Sequence, residues 1–231
     1  MLKRWSVIYG AGILLMLTLT IATQRTAQVF SDGFRETRTD IIVLDAGHGW
    51  PDGGATSCTG VQESDINLEI TKRLEDLLHL LGYKTVMIRK TGESVYTSGD
   101  TIAQKKMSDL KERVRIADTS SGTLLISIHQ NTFSDERYYG PQVFYGKPKG
   151  SKEFAKILQS VFTDKLPCET KRAAKPATGI YLMEQTEIPG VLVECGFLSN
   201  RREEALLRDG KYQKKICCVI ASAVGTFLLD S

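Results

Sequence analysis

The sequence has few histidines, no charge imbalance in its main body and no internal repeat. Three of its 231 residues are histidine, 30 are Lys or Arg, and 27 are Asp or Glu. Residues 1–39 contain five of the basic and two of the acidic residues, so the surplus positive charge lies there. A nucleic-acid-binding domain usually carries a basic patch or stripe. The balanced charge of the remaining residues therefore gives no indication of a nucleic-acid partner.

A long apolar run lies at the N-terminus. Lys3 and Arg4 precede an apolar stretch at residues 6–23, whose 18 residues are at the lower limit for spanning the ~30 Å core of a bilayer. The stretch is longer than the apolar core of most secretory signals, about 7 to 15 residues, and no clean A-x-A cleavage site follows it. Positive charge before the run favours export of the chain that follows. We predict a membrane anchor or signal segment at residues 1–24, and an uncleaved anchor is favoured.

The chain also lacks the paired cysteine spacing of a disulfide framework. It contains an odd number of cysteines, namely Cys58, Cys168, Cys195, Cys217 and Cys218. The last two fall in a helical pattern, where cysteine behaves as a small apolar packing residue. An exported domain could form a disulfide, but this spacing predicts none.

Beyond a polar linker at residues 25–39, residues 40–231 read as a single catalytic domain. Short apolar runs typical of buried strands occur at 41–44, 84–88, 124–128 and 191–193, with weaker candidates at 142–145 and 180–183. Amphipathic stretches with helical spacing occur at 66–81, 110–117, 154–162 and 212–227. Ser64 or Asp65 is expected to cap the first helix. This alternation predicts an α/β fold, with a mostly parallel central sheet and helices on both faces.

Polar residues occur at the ends of three predicted strands. His48 follows the first strand, His129 directly follows "LLISI", and Glu194 directly follows "VLV". The carboxyl ends of parallel strands lie along one edge of a sheet, where open α/β sheets bind their ligands. His79 is different, because it falls off the apolar stripe of its helix and is expected on the surface. We predict an active site at the C-terminal edge of the strands.

Two histidines and a carboxylate are a typical ligand set for a catalytic zinc ion. Glu63 is a natural third ligand beside His48 and His129, because it lies between the glycine-rich loop "GHGWPDGG" and the first helix, whose dipole favours a negative charge. No H-E-x-x-H motif is present. The residue pattern alone leaves Asp45, Asp65 and Cys58 as rival ligands.

Four segments together resemble the zinc-dependent N-acetylmuramoyl-L-alanine amidases of bacterial cell-wall remodelling, the amidase type 3 group. They are "VLDAGHGWPDGGA", the Glu63 region, "LLISIHQN" and "GVLVECGFLSN", and the resemblance covers roughly residues 40–230. It implies Zn²⁺ bound by His48, Glu63 and His129, with Glu194 as the catalytic carboxylate. The implied substrate is peptidoglycan, cut between N-acetylmuramic acid and the L-alanine of the stem peptide.

The sequence departs from the family pattern at Trp50 and Asp118, where glycine and asparagine are more usual. Neither position is a proposed ligand, so the departures concern loop shape and substrate fit. The substrate carboxylates could be held by a bidentate arginine contact, for which Arg113, Arg115 and Arg172 are candidates. Residues 92–107 and 132–140 are expected to be exposed loops that shape access to the site.

The layout of an N-terminal membrane segment plus one catalytic domain, together with "TGIYLMEQ", is similar to the short spore-cortex amidases. That resemblance implies a role in making muramic δ-lactam, a location outside the cytoplasm or in the space between the forespore membranes, and an accessory regulatory protein. Two other functions stay open. One is a zinc peptidase that cuts within a stem peptide, and the other is an inactive, membrane-anchored wall-binding module. The presence of all four site residues argues against the inactive module.

Overall fold

The computed structural model of the chain describes residues 39–166 and 172–229. The predicted anchor at residues 1–24, all of the predicted linker except residue 39, and Cys168 lie outside the described residues. Residues from Thr39 onward form one compact unit.

Strands and helices alternate along this unit as the sequence predicts. The strands are β1 (Ile41–Ala46), β2 (Lys84–Met87), β3 (Leu124–Asn131), β4 (Gln142–Tyr145), β5 (Lys175–Pro176) and β6 (Gly190–Phe197). The helices are α1 (Glu63–Leu80), α2 (Ile102–Thr119), α3 (Ser151–Lys165), α4 (Tyr181–Gln185), α5 (Arg201–Leu207) and α6 (Gly210–Leu229).

The six strands form one sheet in the order β2-β1-β3-β6-β4-β5. The first four in this order are parallel, β4 runs antiparallel to β6, and β5 is parallel to β4. The predicted mostly parallel α/β fold is confirmed. The register pairs Ala46 with Ile128 and His129 with Glu194, so the carboxyl ends of the three central strands lie side by side.

Each face of the sheet is covered by helices, because the strands are apolar on both sides. In β1, Ile42 and Leu44 pack in the larger core, which contains buried residues of α1, α3 and α6. Val43 points to the opposite face and packs in the smaller core, which includes Ala117 of α2 and Leu182 of α4. Full burial of a side chain of this size contributes about 1.5–3 kcal/mol. The central strands are thereby fixed on both faces, and they hold the residues at their ends.

The last helix, α6, is long and apolar enough to cross a bilayer by length and composition. Its apolar residues are largely buried in the larger core, among them Ile216, Ile220 and Val224. It is therefore a core helix of this domain.

Several predicted boundaries are wrong. Residues 180–183 contribute to the short helix α4 and not to a strand, because Leu182 and Met183 are buried side by side under the sheet. Helix α1 begins at Glu63 with Gln62 as its N-cap, so neither Ser64 nor Asp65 caps it.

Two further boundaries differ. Helix α2 begins at Ile102, inside the stretch predicted to be a loop, because Thr101 and Gln104 form a capping box there. Strands β3 and β6 continue past His129 and Glu194, so these residues lie within the last part of their strands.

Candidate metal centre

His48 lies in the loop that leaves β1, and its backbone is unusual. Its φ of 62° is in the left-handed region, which residues other than glycine seldom adopt. The backbone carbonyl of His48 accepts a hydrogen bond from the Arg113 guanidinium. At the side chain, Nδ1 lies 3.2 Å from Oδ2 of Asp52. The other ring nitrogen, Nε2, lies 3.3 Å from Oε2 of Glu63.

Glu63 is the first residue of α1, and its carboxylate lies between two histidine rings. Oε1 is 3.0 Å from Nδ1 of His129, and Oε2 is near His48. The backbone N–H groups of Gln130 and Ala55 donate to the two oxygens at 3.1 and 2.9 Å. Burial would raise the pKa of Glu63, but the hydrogen bonds and charges of both histidines lower it well below its usual range. Glu63 is therefore an ionised carboxylate although it is buried.

These three side chains can converge on one metal ion. His48, Glu63 and His129 each offer a ligand atom, and the three atoms lie within 4.8 Å of one another. The two rings meet edge to face, with centroids 4.9 Å apart. Two imidazoles and one carboxylate match the donor set of catalytic zinc sites, which leave a fourth position open. The residues present therefore fit a zinc ion.

Asp52 holds the His48 ring from the side opposite Glu63. In zinc proteins a carboxylate at this position fixes the tautomer of the ligand and raises its basicity. Burial lowers the pKa of His48, but hydrogen bonds to Asp52 and Glu63 outweigh it and raise the pKa to about 9. Asp52 also pairs with Lys106 at 2.9 Å and accepts from the backbone N–H of Gly54 at 3.1 Å. Asp52 thus contacts Nδ1 of His48, and Nε2 faces Glu63.

Glu194 is the neighbour of His129 on the adjacent strand β6. Its Oε2 is buried and has no hydrogen-bond partner among the described residues. Burial raises the pKa of Glu194 to about 7, and the charge of Glu63 acts in the same direction, whereas the two histidines oppose it. A divalent cation at the cluster would favour the ionised form. The structure thus places a buried carboxyl group with a raised pKa next to His129.

A cavity of about 100 Å³ adjoins the cluster. His48 and His129 line one part of it, and Tyr181 and Leu182 of α4 line another. Residues 180–182 of the segment "IYLM" thus form part of a wall of the site. The exposed side chain of Lys106 also lines this cavity.

None of the rival ligands belongs to this group of three. Asp45 is buried, where it accepts hydrogen bonds from Arg113 and Ser127. Asp65 and Cys58 are exposed. Among the described residues, His48, Glu63 and His129 form the only group of three or more such side chains with metal-binding geometry. His79 is exposed, as predicted.

Arg113, one of the candidates for holding a substrate carboxylate, is already engaged in ion pairs. Its side chain is 3% exposed and pairs with Asp45 and Asp109. Of the other two candidates, Arg115 is exposed and pairs with Glu112 on its own helix. Arg172 is half-buried and donates to the backbone carbonyl of Tyr139 at 3.2 Å.

The two departures from the family pattern differ in their surroundings. Trp50 is 62% exposed, in the loop between His48 and Asp52. Asp118 accepts hydrogen bonds from the Thr186 hydroxyl at 2.7 Å and the Glu187 N–H at 3.0 Å, so it ties α2 to the segment before β6.

Sequence reasoning missed three residues that support the cluster. Asp52 holds His48, Asn67 contacts Glu63, and the buried Arg89 donates to the backbone carbonyls of Gly47 and Ser64. Of these, Asn67 carries a sequence signal. It follows Glu63 by four residues in α1, and in a helix that spacing places two side chains on one face. Asp52 lies in the loop after β1, where the same spacing has no such meaning.

The fold and the cluster together define an α/β protein with a three-residue group able to hold a metal ion at the C-terminal edge of its sheet. The chain matches the family of N-acetylmuramoyl-L-alanine amidases over residues 42–226. The chain therefore belongs to this family, and the predicted class of enzyme, a peptidoglycan amidase, is confirmed.

Individual relatives agree with this assignment. A germination-specific N-acetylmuramoyl-L-alanine amidase of Bacillus subtilis (strain 168) is 38% identical over 186 residues, which are 80% of this chain and 78% of that relative. The CwlD amidase of Clostridioides difficile, solved in complex with the GerS lipoprotein, has a TM-score of 0.80 at 38% identity and covers 84% of this chain and 100% of its own. An N-acetylmuramoyl-L-alanine amidase of Clostridium difficile 630 has a TM-score of 0.72 at 29% identity, with 83% and 97% covered.

Proposed function

We propose that the chain hydrolyses the amide bond between N-acetylmuramic acid and L-alanine in peptidoglycan with one zinc ion held by His48, Glu63 and His129. The observation that carries the proposal is the ionised Glu63 carboxylate set between two imidazoles, with ligand atoms within 4.8 Å of one another. An amide is a poor electrophile and water a poor nucleophile, so both partners of the reaction need activation.

The chain supplies a distinct role for each residue of the site. A zinc ion lowers the pKa of a water that it binds to about 7 and polarises a carbonyl group. Glu194 takes the proton from the attacking water and delivers it to the leaving amine of L-alanine. Its buried, unpartnered Oε2 provides the acceptor for that proton. Asp52 keeps a proton on Nδ1 of His48, which directs Nε2 towards Glu63.

The test is to incubate the zinc-loaded full-length chain with purified peptidoglycan and to analyse the soluble products by mass spectrometry. The proposal expects stem peptides with a new free N-terminal L-alanine. Glu194→Gln should keep zinc and lose this release. Fragments that begin at a later residue of the stem peptide would instead support a zinc peptidase.

Substitution of the histidines separates ligands from other histidines. His48→Ala and His129→Ala should each lose zinc and activity, while the matched control His79→Ala, at an exposed position on α1, should keep both. Zinc content after dialysis against a weak chelator measures the difference. Full zinc content in His48→Ala would contradict the proposed ligand set.

We further propose that the enzyme acts outside the cytoplasm on the spore cortex, where it takes part in forming muramic δ-lactam. The 38% identity to a germination-specific amidase supports this role. The test is to express the chain in a Bacillus subtilis strain that lacks its germination-specific amidase, and to measure muramic δ-lactam in the spore cortex. We expect muramic δ-lactam to return to the cortex when the wild-type chain is expressed, but not when Glu194→Gln is expressed. Cortex without lactam in both strains, despite amidase activity of the purified protein, would contradict the cortex role.

For the parts of the chain, we propose a membrane anchor at residues 1–24, a linker at 25–39 and the catalytic domain at 40–231. Carbonate washing of membranes from expressing cells should leave the chain in the membrane pellet. N-terminal sequencing of the retained protein should begin at or near Met1. A mature chain that starts near residue 25 would show that the segment is a cleaved signal.

An accessory protein is the last part of the proposal. The related CwlD amidase of Clostridioides difficile was solved in complex with a lipoprotein, and this supports a similar partner for the present chain. Amidase activity of the purified chain should rise when GerS is added, whereas a zinc-loaded chain whose full activity is unaffected by GerS would argue against such a partner.

A further inference from the structure

Asn67 is a fully buried polar residue of α1 that lies one turn after Glu63. A buried amide is costly unless its donors and acceptor are bonded. We infer that Asn67 is a positioning residue, which joins the three ligand-bearing segments and sets the affinity of the site for zinc. This inference rests on the proposed zinc function.

The amide nitrogen of Asn67 donates to two segments at once. Nδ2 lies 3.1 Å from the carbonyl oxygen of Gly47, the residue before His48. It also lies 3.2 Å from Oε1 of Glu63. The first bond fixes the loop that presents one imidazole, and the second fixes the rotamer of the carboxylate.

The amide oxygen of Asn67 reaches the third segment. Oδ1 accepts a hydrogen bond at 3.1 Å from Nε2 of Gln130, the residue after His129 in β3. The backbone N–H of Gln130 in turn donates to Oε1 of Glu63 at 3.1 Å. Asn67 is therefore bonded to Glu63 itself and to the sequence neighbours of both histidines.

The chemistry of this position requires an amide. Two donors and one acceptor are used, and a primary amide supplies both kinds of group on one short side chain. An aspartate would present only acceptors to Gly47 and to the Glu63 carboxylate. A leucine of similar size would leave the Gly47 carbonyl and the Gln130 amide without their bonds to this residue. Partners of this kind typically change metal affinity 10- to 100-fold when they are removed.

The experiment compares Asn67→Leu with Thr71→Val in the full-length chain. Thr71 is also fully buried on α1, but its hydroxyl donates only to the Asn67 carbonyl, at 2.7 Å, within the helix. Thr71→Val therefore removes a buried hydrogen bond from the same helix but no bond to a ligand side chain or to the neighbours of the two histidines. Zinc Kd is measured by competition with a chelator, and the unfolding free energy of the zinc-free proteins is measured in urea.

Asn67→Leu is expected to weaken zinc binding 10- to 100-fold, whereas Thr71→Val leaves the zinc Kd within threefold of wild type. A purely structural role for Asn67 predicts lower stability in both variants and an unchanged zinc Kd in both, and that result would overturn the inference. Weaker zinc binding by the same factor in Thr71→Val would overturn it as well.

Two further results are possible: the wild-type chain binds no zinc, or Asn67→Leu does not fold. A wild-type chain that binds no zinc would overturn the proposed zinc function, and with it the inference. If circular dichroism shows that Asn67→Leu is unfolded, Gln130→Met decides, because it removes the bond that orients the Asn67 amide and leaves the Asn67 side chain in place. A zinc Kd weakened at least threefold supports the inference, and an unchanged Kd overturns it.

Discussion

His48 should lower the stability of the zinc-free protein as the pH rises from 6.5 to 9. Hydrogen bonds to Asp52 and Glu63 overcome the effect of burial and raise the pKa of His48 from 6.5 to about 9. A group whose pKa is raised on folding binds its proton more tightly in the folded state. Its contribution is therefore complete below pH 6.5 and is lost as the pH rises through 9.

The size of the effect follows from the shift. One pKa unit corresponds to 1.36 kcal/mol, so the rise at His48 is worth roughly 3 kcal/mol as an upper value. The side chain of His48 is 20% exposed and that of Asp52 is 26% exposed. Solvent therefore weakens the interaction between them. We expect roughly 2 kcal/mol to be lost between pH 6 and pH 9.5, a sizeable part of the 5–15 kcal/mol by which a folded protein is stable.

Urea denaturation of the full-length chain in the presence of EDTA measures this loss. The control is His48→Gln, which has no titrating group at that position. The fall in unfolding free energy between pH 6 and pH 9.5 should be larger in wild type than in His48→Gln by roughly 2 kcal/mol. The same fall in both proteins would refute the reasoning, because the pH dependence would then come from other groups.

Three further perturbations test the support of the site. Gly47→Ala would place a Cβ atom against the ring of His129, so zinc binding should weaken at least tenfold. An unchanged zinc Kd would show that the ring can move aside. Arg113→Met leaves the carboxylate of Asp45 buried without its cationic partner. The unfolding free energy measured in urea should fall by about 3–5 kcal/mol, and a fall of less than about 1 kcal/mol would contradict the importance of this pair. Thr101→Ala removes the capping box of α2 and should lower stability by about 1 kcal/mol with no change in zinc affinity.

The central strands could be predicted from the sequence because each is a continuous apolar run. A strand covered on both faces needs no polar alternation, and β1 and β3 have buried residues on both faces. The run at 180–183 has the same composition but is too short to distinguish strand from helix by periodicity. Its helical form depends on packing against the smaller core, which a single segment does not encode.

The proximity of His48, His129 and Glu194 could be predicted because the carboxyl ends of parallel strands lie along one edge of a sheet, whereas Glu63 was a candidate from its place between the glycine-rich loop and α1. The arginines could not be placed in the same way. Arg113 and Arg115 are two residues apart on α2, and one is buried while the other is exposed. The difference is that Arg113 meets Asp45, 68 residues earlier in the chain. Only tertiary structure brings that partner to it, so the sequence alone did not separate a structural arginine from one that could bind substrate.

The buried arginines explain how the chain keeps His48 in an unfavourable backbone conformation. A residue other than glycine in the left-handed region costs about 1 kcal/mol or more, and the loop carbonyls must also find donors away from water. Arg89 donates to the carbonyls of Ala46 and Gly47, and Arg113 donates to those of Ala46 and His48. All of these bonds go to the backbone, so the loop should hold its shape when the His48 side chain is replaced. Replacing the His48 imidazole should therefore leave the backbone conformation of the loop intact. For this reason His48→Ala and His48→Gln should fold, although neither supplies the imidazole.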